Sequence, residues 1–287
     1  MVDLLETLKF LEQHPVYLYD SPVMGIRMSA VPLNKISAHL RPEEKISQLM
    51  QMKKTDVLQQ KAIDLATFIS NESGVPIGYF GVTGSLLLDI HRDFSDIDLI
   101  VYGMKNSEAV KKSLIRIYQK GSFPVLQFNE EKIREWCLNK TEMYPLTYEE
   151  AARIFERKWG RGLYHEILFS IHPVKLEEEV SERYGDRIFK PEGIVKIEAT
   201  VSIASEAEFL PSIYKVEDVK IYDGPVVNDI YEVASYEGLY GGIAEKGEKI
   251  MAYGKLEKVI DRKNDENYHR VLIGSKEAKG KDYVKPI

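Results

Sequence analysis

The sequence predicts a mixed α/β domain followed by a smaller β-rich one, and two observations carry this. Up to about residue 188, apolar residues recur at helical or strand spacing in the order strand, helix, strand, helices, strand. From Phe189 onward "GIVKIEATVSIA", "SIYKVEDVKIYD", "IYEVASYEGLY", "EKIMAYGKLEKVI" and "NYHRVLIG" are extended runs separated by Gly, Pro, Asn and Asp, almost without helical periodicity. Five or six strands in that space predict a small antiparallel, barrel-like domain, OB-like in its closest analogue. The boundary is expected between Arg187 and Gly193, which divides the chain into 1–188 and 189–287.

Residues 3 to 12 have the spacing of a short amphipathic helix, and "VYLYDSPVMGIRMSAVPL" reads as a hairpin around a Pro/Gly turn. Pro42 followed by Glu43 and Glu44 starts a helix, with the acids at its positive end. From Asp56 to Ser70, Leu58, Ile63, Leu65, Ala66 and Ile69 form an apolar stripe. "IGYFGV" is a short strand, "GSLLLDI" a helical turn and "DIDLIVYG" a second strand. Asn106 to Gln119 is helical and stops at Gly121, and "NEEKIREWCLNK" and "TYEEAARIFERKWGRG" follow as helices, the latter opened by a Thr147/Glu150 capping box. "LYHEILFSIHPVK" returns to a strand.

At 287 residues with 44 % hydrophobic and 29 % charged side chains, the chain can bury a real core and has the balance of a soluble protein. It has no run of eighteen apolar residues to span a bilayer. "MVDLLETLKFLEQHP" carries acids in place of the basic patch and apolar core of a secretory signal, so a cytoplasmic location is expected. The lone Cys137 has no partner for a disulfide or zinc site and reads as helix packing. A net charge of −6 argues against a surface coated in nucleic acid, but leaves room for a local basic groove.

"GVTGSLLLDIHRDFSDIDLIVYG", residues 81 to 103, carries the chemistry. Strand alternation puts Asp96 and Asp98 on one face, about 7 Å apart, while Ile97 and Leu99 enter the core. Two such carboxylates repel unless a cation neutralises them, and magnesium suits a site of few carboxylates completed by substrate phosphates. Gly84 lets the backbone approach a phosphate, and Ser85 opens a turn whose N–H groups face an anion. A dinucleotide fingerprint lacks its third glycine here, and calcium loops started at Asp89 or Asp93 lack the required Gly and Glu.

Thr83, then Gly84-Ser85, then ten residues, then Ser95 and "DIDL" resemble the motif of the DNA polymerase beta-like nucleotidyltransferase superfamily. The whole chain also resembles a group of predicted archaeal nucleotidyltransferases with a long segment before the motif and a β-rich C-terminal part. The resemblance implies a nucleotidyltransferase fold with a mixed sheet. It implies Mg2+ held by Asp96 and Asp98, and a nucleoside triphosphate held by Gly84 and Ser85. It implies transfer of a nucleoside monophosphate to an acceptor hydroxyl, with RNA or tRNA as one acceptor and a small molecule or protein side chain as another. A non-catalytic nucleotide- or nucleic-acid-binding module is the rival reading.

The superfamily usually brings a third carboxylate from a neighbouring strand. Alternation in "LYHEILFSIHPVK" puts Tyr164, Glu166, Leu168, Ser170 and His172 on one face, making Glu166 the first candidate and Glu198 the second. At helical spacing Arg153, Arg157 and Arg161 share a face that would bind triphosphate or a nucleic-acid backbone. His172 reads as a histidine at a strand end and Trp159 as a packing anchor. Lys255, Lys258 and Lys263, interleaved with tyrosines, are candidate contacts to a single strand.

Overall fold

Residues 4–121 and 123–287 are described here by a computed structural model. The N-terminal helix α1 spans Leu4–Leu11; residue 3 of the expected helix lies outside the described residues. The strands β1 (Leu18–Ser21) and β2 (Ile26–Ser29) form the expected hairpin. Pro42 and two acids begin α2 (Pro42–Gln51), and Asp56 caps α3 (Val57–Ser73) through a reciprocal capping box with Gln59. The helix α3 ends where Gly74 turns left-handed.

Next come β3 (Phe80–Val82), the one-turn helix α4 (Gly84–Leu87), β4 (Ile97–Tyr102), α5 (Met104–Lys120) and β5 (Val125–Leu126). The helices α6 (Glu130–Met143) and α7 (Tyr148–Glu156) follow, then β6 (Arg161–Tyr164) and β7 (Ile167–Val174). Six strands complete the chain: β8 (Arg187–Glu206), β9 (Ser212–Asp223), β10 (Ile230–Ser235), β11 (Lys249–Asp261), β12 (Glu266–Ile273) and β13 (Tyr283–Pro286).

The architecture is mixed α and β with several sheets. One sheet has the order β3-β4-β7-β6-β5, antiparallel except where β4 runs parallel to β7. The other has the order β12-β10-β9-β8-β11-β13, and β12 also pairs with β11, so its pairings return to the strand where they began. The expected purely antiparallel arrangement is corrected at one place: β10 and β12 are parallel. Two strands that close such a ring and are not joined by a hairpin are free to run in the same direction.

Two large cores form. Ile46, Leu65, Ile69, Phe80, Leu99, Val101, Leu114 and Ile171 fill the one between α2, α3, α5 and the first sheet. The second joins Val195, Ile197, Tyr214, Val233, Ile250, Leu256 and Val271 to Cys137, Ala151 and Ile154 of α6 and α7. The N-terminal hairpin also lies on the second half, where Phe189 N donates to Val23 O at 2.8 Å and Met24 packs on Phe189, Val259 and Tyr268. The division expected at 188/189 falls two residues inside β8, and apolar burial ties α6, α7 and the hairpin across it.

Two local expectations fail. The run 157–162 leaves the helix: α7 ends at Glu156 and Arg161 opens β6, so Arg153, Arg157 and Arg161 do not share a helical face. "LYHEILFSIHPVK" is a hairpin and not one strand. His165 and Glu166 both have positive φ, 46° and 68°, which folds the chain back in a two-residue turn.

Candidate active site

The strands β3 and β4 are antiparallel neighbours with Val82 opposite Leu99, and Thr83 N donates to Asp98 O at 2.9 Å. This register brings the Gly-Ser turn back onto the second aspartate. Gly84 has φ +62°, and a Cβ there would overlap Asp98 Oδ2. Only glycine both adopts that backbone without strain and leaves the carboxylate its place. Asp96 stands exposed just before β4, and Asp98 is partly buried one pleat further on. Ser85 takes part through its backbone, its carbonyl accepting from Ile90 N at 3.0 Å.

On the other side of β4, Asp98 is in register with Ser170 of β7. The Ser170 hydroxyl donates to Asp98 Oδ1 at 2.5 Å. With that proton committed, His172 Nε2–H donates to Ser170 Oγ at 2.7 Å, and the imidazole lies 3.9 Å from Asp98 Oδ1. The nearby His172 ring holds the Asp98 carboxyl below the usual carboxylate range against the opposing effect of burial, helped by the Ser170 hydroxyl and the charge of Arg161.

The third carboxylate is therefore not where it was expected. Glu166 is exposed in the hairpin turn, four residues and about 13 Å of strand from Ser170. Glu198 belongs to the second sheet, held by Lys249 Nζ and Tyr222 OH, each at 2.9 Å. A serine-histidine pair stands beside Asp98 instead. Among the described residues no three His, Cys, Asp or Glu side chains converge as a protein-only metal cage.

A cleft of about 140 Å³ opens beside this pair, with walls from both halves of the chain. Arg157, Lys158, Arg161, Ser170 and His172 line it from one half, and Glu208, Ser212, Gly238 and Gly241 from the other. Three successive side chains bridge the halves. Arg157 grips Glu248 with two hydrogen bonds at 2.8 and 3.1 Å, Lys158 donates to Gly238 O and Gly241 O, and Trp159 Nε1 donates to Glu208 at 3.0 Å. Arg157 is thus committed to a carboxylate, while Arg161, in register with Ser170, is not. Trp159 is only 7 % exposed and acts as a packing anchor.

Of the lysines expected to meet nucleic acid, Lys255 is sealed inside the second sheet beside Glu257. Lys263 donates to Ser181 O, and Lys258 is partly buried. A larger cavity of about 360 Å³ lies at the second sheet among Arg187, Lys215, Glu232 and Tyr268, and shares no lining residue with the cleft beside Asp98. Sequence reasoning placed Lys158 in the basic run before β6 but missed its carbonyl partners, Glu208 and the Ser170 bridge. The parity of Ser170 and His172 was readable, but the register that sets them against Asp98 was not.

Among the described residues, no helix is long and apolar enough to cross a membrane. No family model matches the chain. No solved structure matches it. It is 34 % identical over 281 residues to the uncharacterized protein MJ1086 of Methanocaldococcus jannaschii, covering 96 % of this chain and 79 % of that one. At that identity and coverage, with the likeness running through both sheets and the cleft between them, the chain belongs to the family of MJ1086.

Proposed function

We propose that the chain is a magnesium-dependent nucleotidyltransferase of the DNA polymerase beta-like kind, moving a nucleoside monophosphate from a triphosphate to an acceptor hydroxyl. The observation that carries this reading is the contact between Gly84 and Asp98: the space a side chain would fill at residue 84 is kept for a carboxylate oxygen. The contact joins the Gly-Ser turn to the aspartate strand, the two elements of the motif by which the chain resembles the superfamily. The donor set fits magnesium, which takes one or two protein carboxylates and completes its shell with phosphates and water. Bound by Asp96 and Asp98, it would offset the charge that develops on the leaving pyrophosphate.

The chain's own residues have definable work in this reaction. The turn at Gly84-Ser85 presents backbone to the triphosphate, and Arg161 adds positive charge on the far side of Asp98. The acceptor oxygen bonds to the α-phosphorus, the bond to the bridging oxygen breaks, pyrophosphate leaves and the hydroxyl proton passes to water. Ser170 orients Asp98, since its hydroxyl fixes Oδ1. RNA or tRNA is one acceptor class for this reaction, and a small molecule or protein side chain is the other.

The serine in place of a third carboxylate favours a second reading, a module that binds nucleotide or nucleic acid without transfer. Incubation with magnesium and each α-labelled nucleoside triphosphate, with RNA or protein as acceptor, separates the two. Transfer is expected from the wild type and to fall about a thousandfold, some 4 kcal/mol of barrier, in the Asp96→Asn, Asp98→Asn double variant. Triphosphate binding that is equal in both proteins, with no transfer by either, would leave the binding module.

A further inference from the structure

The site has two sides. Gly84 and the turn after β3 flank Asp98 on one, and β7 and β6 lie on the other, by the strand order β3-β4-β7-β6-β5. The Gly-Ser turn serves the triphosphate on the first side. Arg161 opens β6 opposite Ser170 and so belongs to the second.

The second side holds unneutralised positive charge. Among the described residues Arg161 has no ion-pair partner, whereas Arg157 is spent on Glu248. Lys158 donates to the neutral carbonyls of Gly238 and Gly241 at 3.2 and 2.6 Å and makes no ion pair among the described residues, Glu208 acting on it only from a distance. The one carboxylate lining the cleft, Glu208, is engaged by Lys111 at 2.6 Å and by Trp159 Nε1. Burial pushes the Lys158 amine down to about 7; Glu208 opposes this, and Arg161 and Lys111 deepen it. Cations that disfavour one another in a confined cleft are relieved by an anion between them.

We infer that the cleft lined by Arg161, Lys158 and His172 binds a phosphate group of the acceptor, which makes the acceptor a nucleotide or a nucleic-acid end and not an uncharged hydroxyl compound. The volume of about 140 Å³ is ample for a phosphate group and small for a whole nucleotide, so the remainder of the acceptor extends out of the cleft. Lys158 gives the second half of the chain a defined part, because the carbonyls of Gly238 and Gly241 fix its amine at the cleft, where a bound phosphate would favour its protonated form. The role given to the phosphate rests on the transferase reading, but its binding is measurable without that reaction.

The test is calorimetric titration of the full chain with inorganic phosphate, without magnesium or triphosphate. Saturable binding is expected, weakened at least tenfold by Arg161→Gln, partly restored by Arg161→Lys, and unchanged or tighter in Asp98→Asn, which removes a nearby negative charge. Arg161 is exposed, so its variants should melt with the wild type, and a thermal melt of all three variants checks their fold. Equal phosphate binding by wild type and Arg161→Gln overturns the inference. Competition then identifies the source of the phosphate. Displacement by adenosine monophosphate at the concentrations that suffice for a short phosphorylated oligoribonucleotide supports a mononucleotide acceptor, and displacement by far less oligonucleotide supports a nucleic-acid end. Adenosine competing as well as its monophosphate overturns the phosphate site. Phosphate binding with this pattern but no transfer to any acceptor overturns the transferase reading alone.

Discussion

In the five-stranded sheet the residues that β4 buries are Ile97, Leu99 and Val101, and its carboxylates stand at the start of the strand where the cleft begins. The six-stranded sheet does the reverse. Glu232, Glu257, Lys255 and Arg270 are at most 1 % exposed, and they neutralise one another inside the ring of strands. Burial alone would raise the Glu232 carboxyl, but Lys215, Arg187 and Arg270 around it hold it below its ordinary range. Charge sealed inside a protein is spent on its partners, and charge left at a rim is available to a substrate. The same residue types therefore carry different meaning in the two sheets.

The largest test of this contrast is Glu232→Ala. It strands Lys215, Arg187 and Arg270 without their shared acid and should destabilise the protein by about 3 to 5 kcal/mol in urea unfolding. Leu99→Ala in the other core should cost about 2 to 5 kcal/mol through a cavity. The two differ in acid: the Glu232 carboxyl is held below its ordinary range, so its contribution is lost as pH falls, and only Glu232→Ala should flatten the loss of stability on acidification. Identical acid responses would erase the distinction between the sheets.

A smaller effect sharpens the reading of the site. Gly84 and Gly74 both have positive φ, but a Cβ at Gly74 meets nothing within 4 Å. Alanine at residue 74 should cost about 1 kcal/mol of stability and leave transfer untouched. Alanine at residue 84 should carry a similar backbone cost and also push Asp98 aside, lowering transfer at least tenfold. Equal activity in the two variants would remove the contact that ties the turn to the aspartate.

A further effect is a pH slope. The Lys158 amine, pushed down to about 7 in the fold, titrates near 10.4 in an unfolded chain. Between those values the unfolded chain holds a proton that the native one has released, so stability rises with pH, by at most about 1.4 kcal/mol per unit. Lys158→Met should flatten that rise in urea midpoints between pH 7.5 and 9. An unchanged slope would mean that the amine keeps its proton in the cleft.

What was legible in the sequence was local. Thr147 with Glu150 marks a helix start because capping is decided within four residues. Gly84 and the two aspartates were readable because a turn and a strand period are also local. The turn at His165–Glu166 was not, since it uses two residues at positive φ without the Asn or Gly that usually announces one. That miss misplaced Glu166, while the importance of Ser170 was hidden separately, because it comes from a long-range register with β4. The partners of α6 and α7 were hidden for the same reason, because an amphipathic stripe says that a face is buried and not against what.

Those two helices and the N-terminal hairpin carry a consequence for how the chain is inherited. Because their apolar faces are covered by strands that come more than thirty residues later, a gene joined or cut at residue 188 would deliver one sheet stripped of its cover and helices with nothing to lie on. Neither piece should keep its fold alone, and the likeness to MJ1086, which covers 96 % of the chain, takes in both sheets.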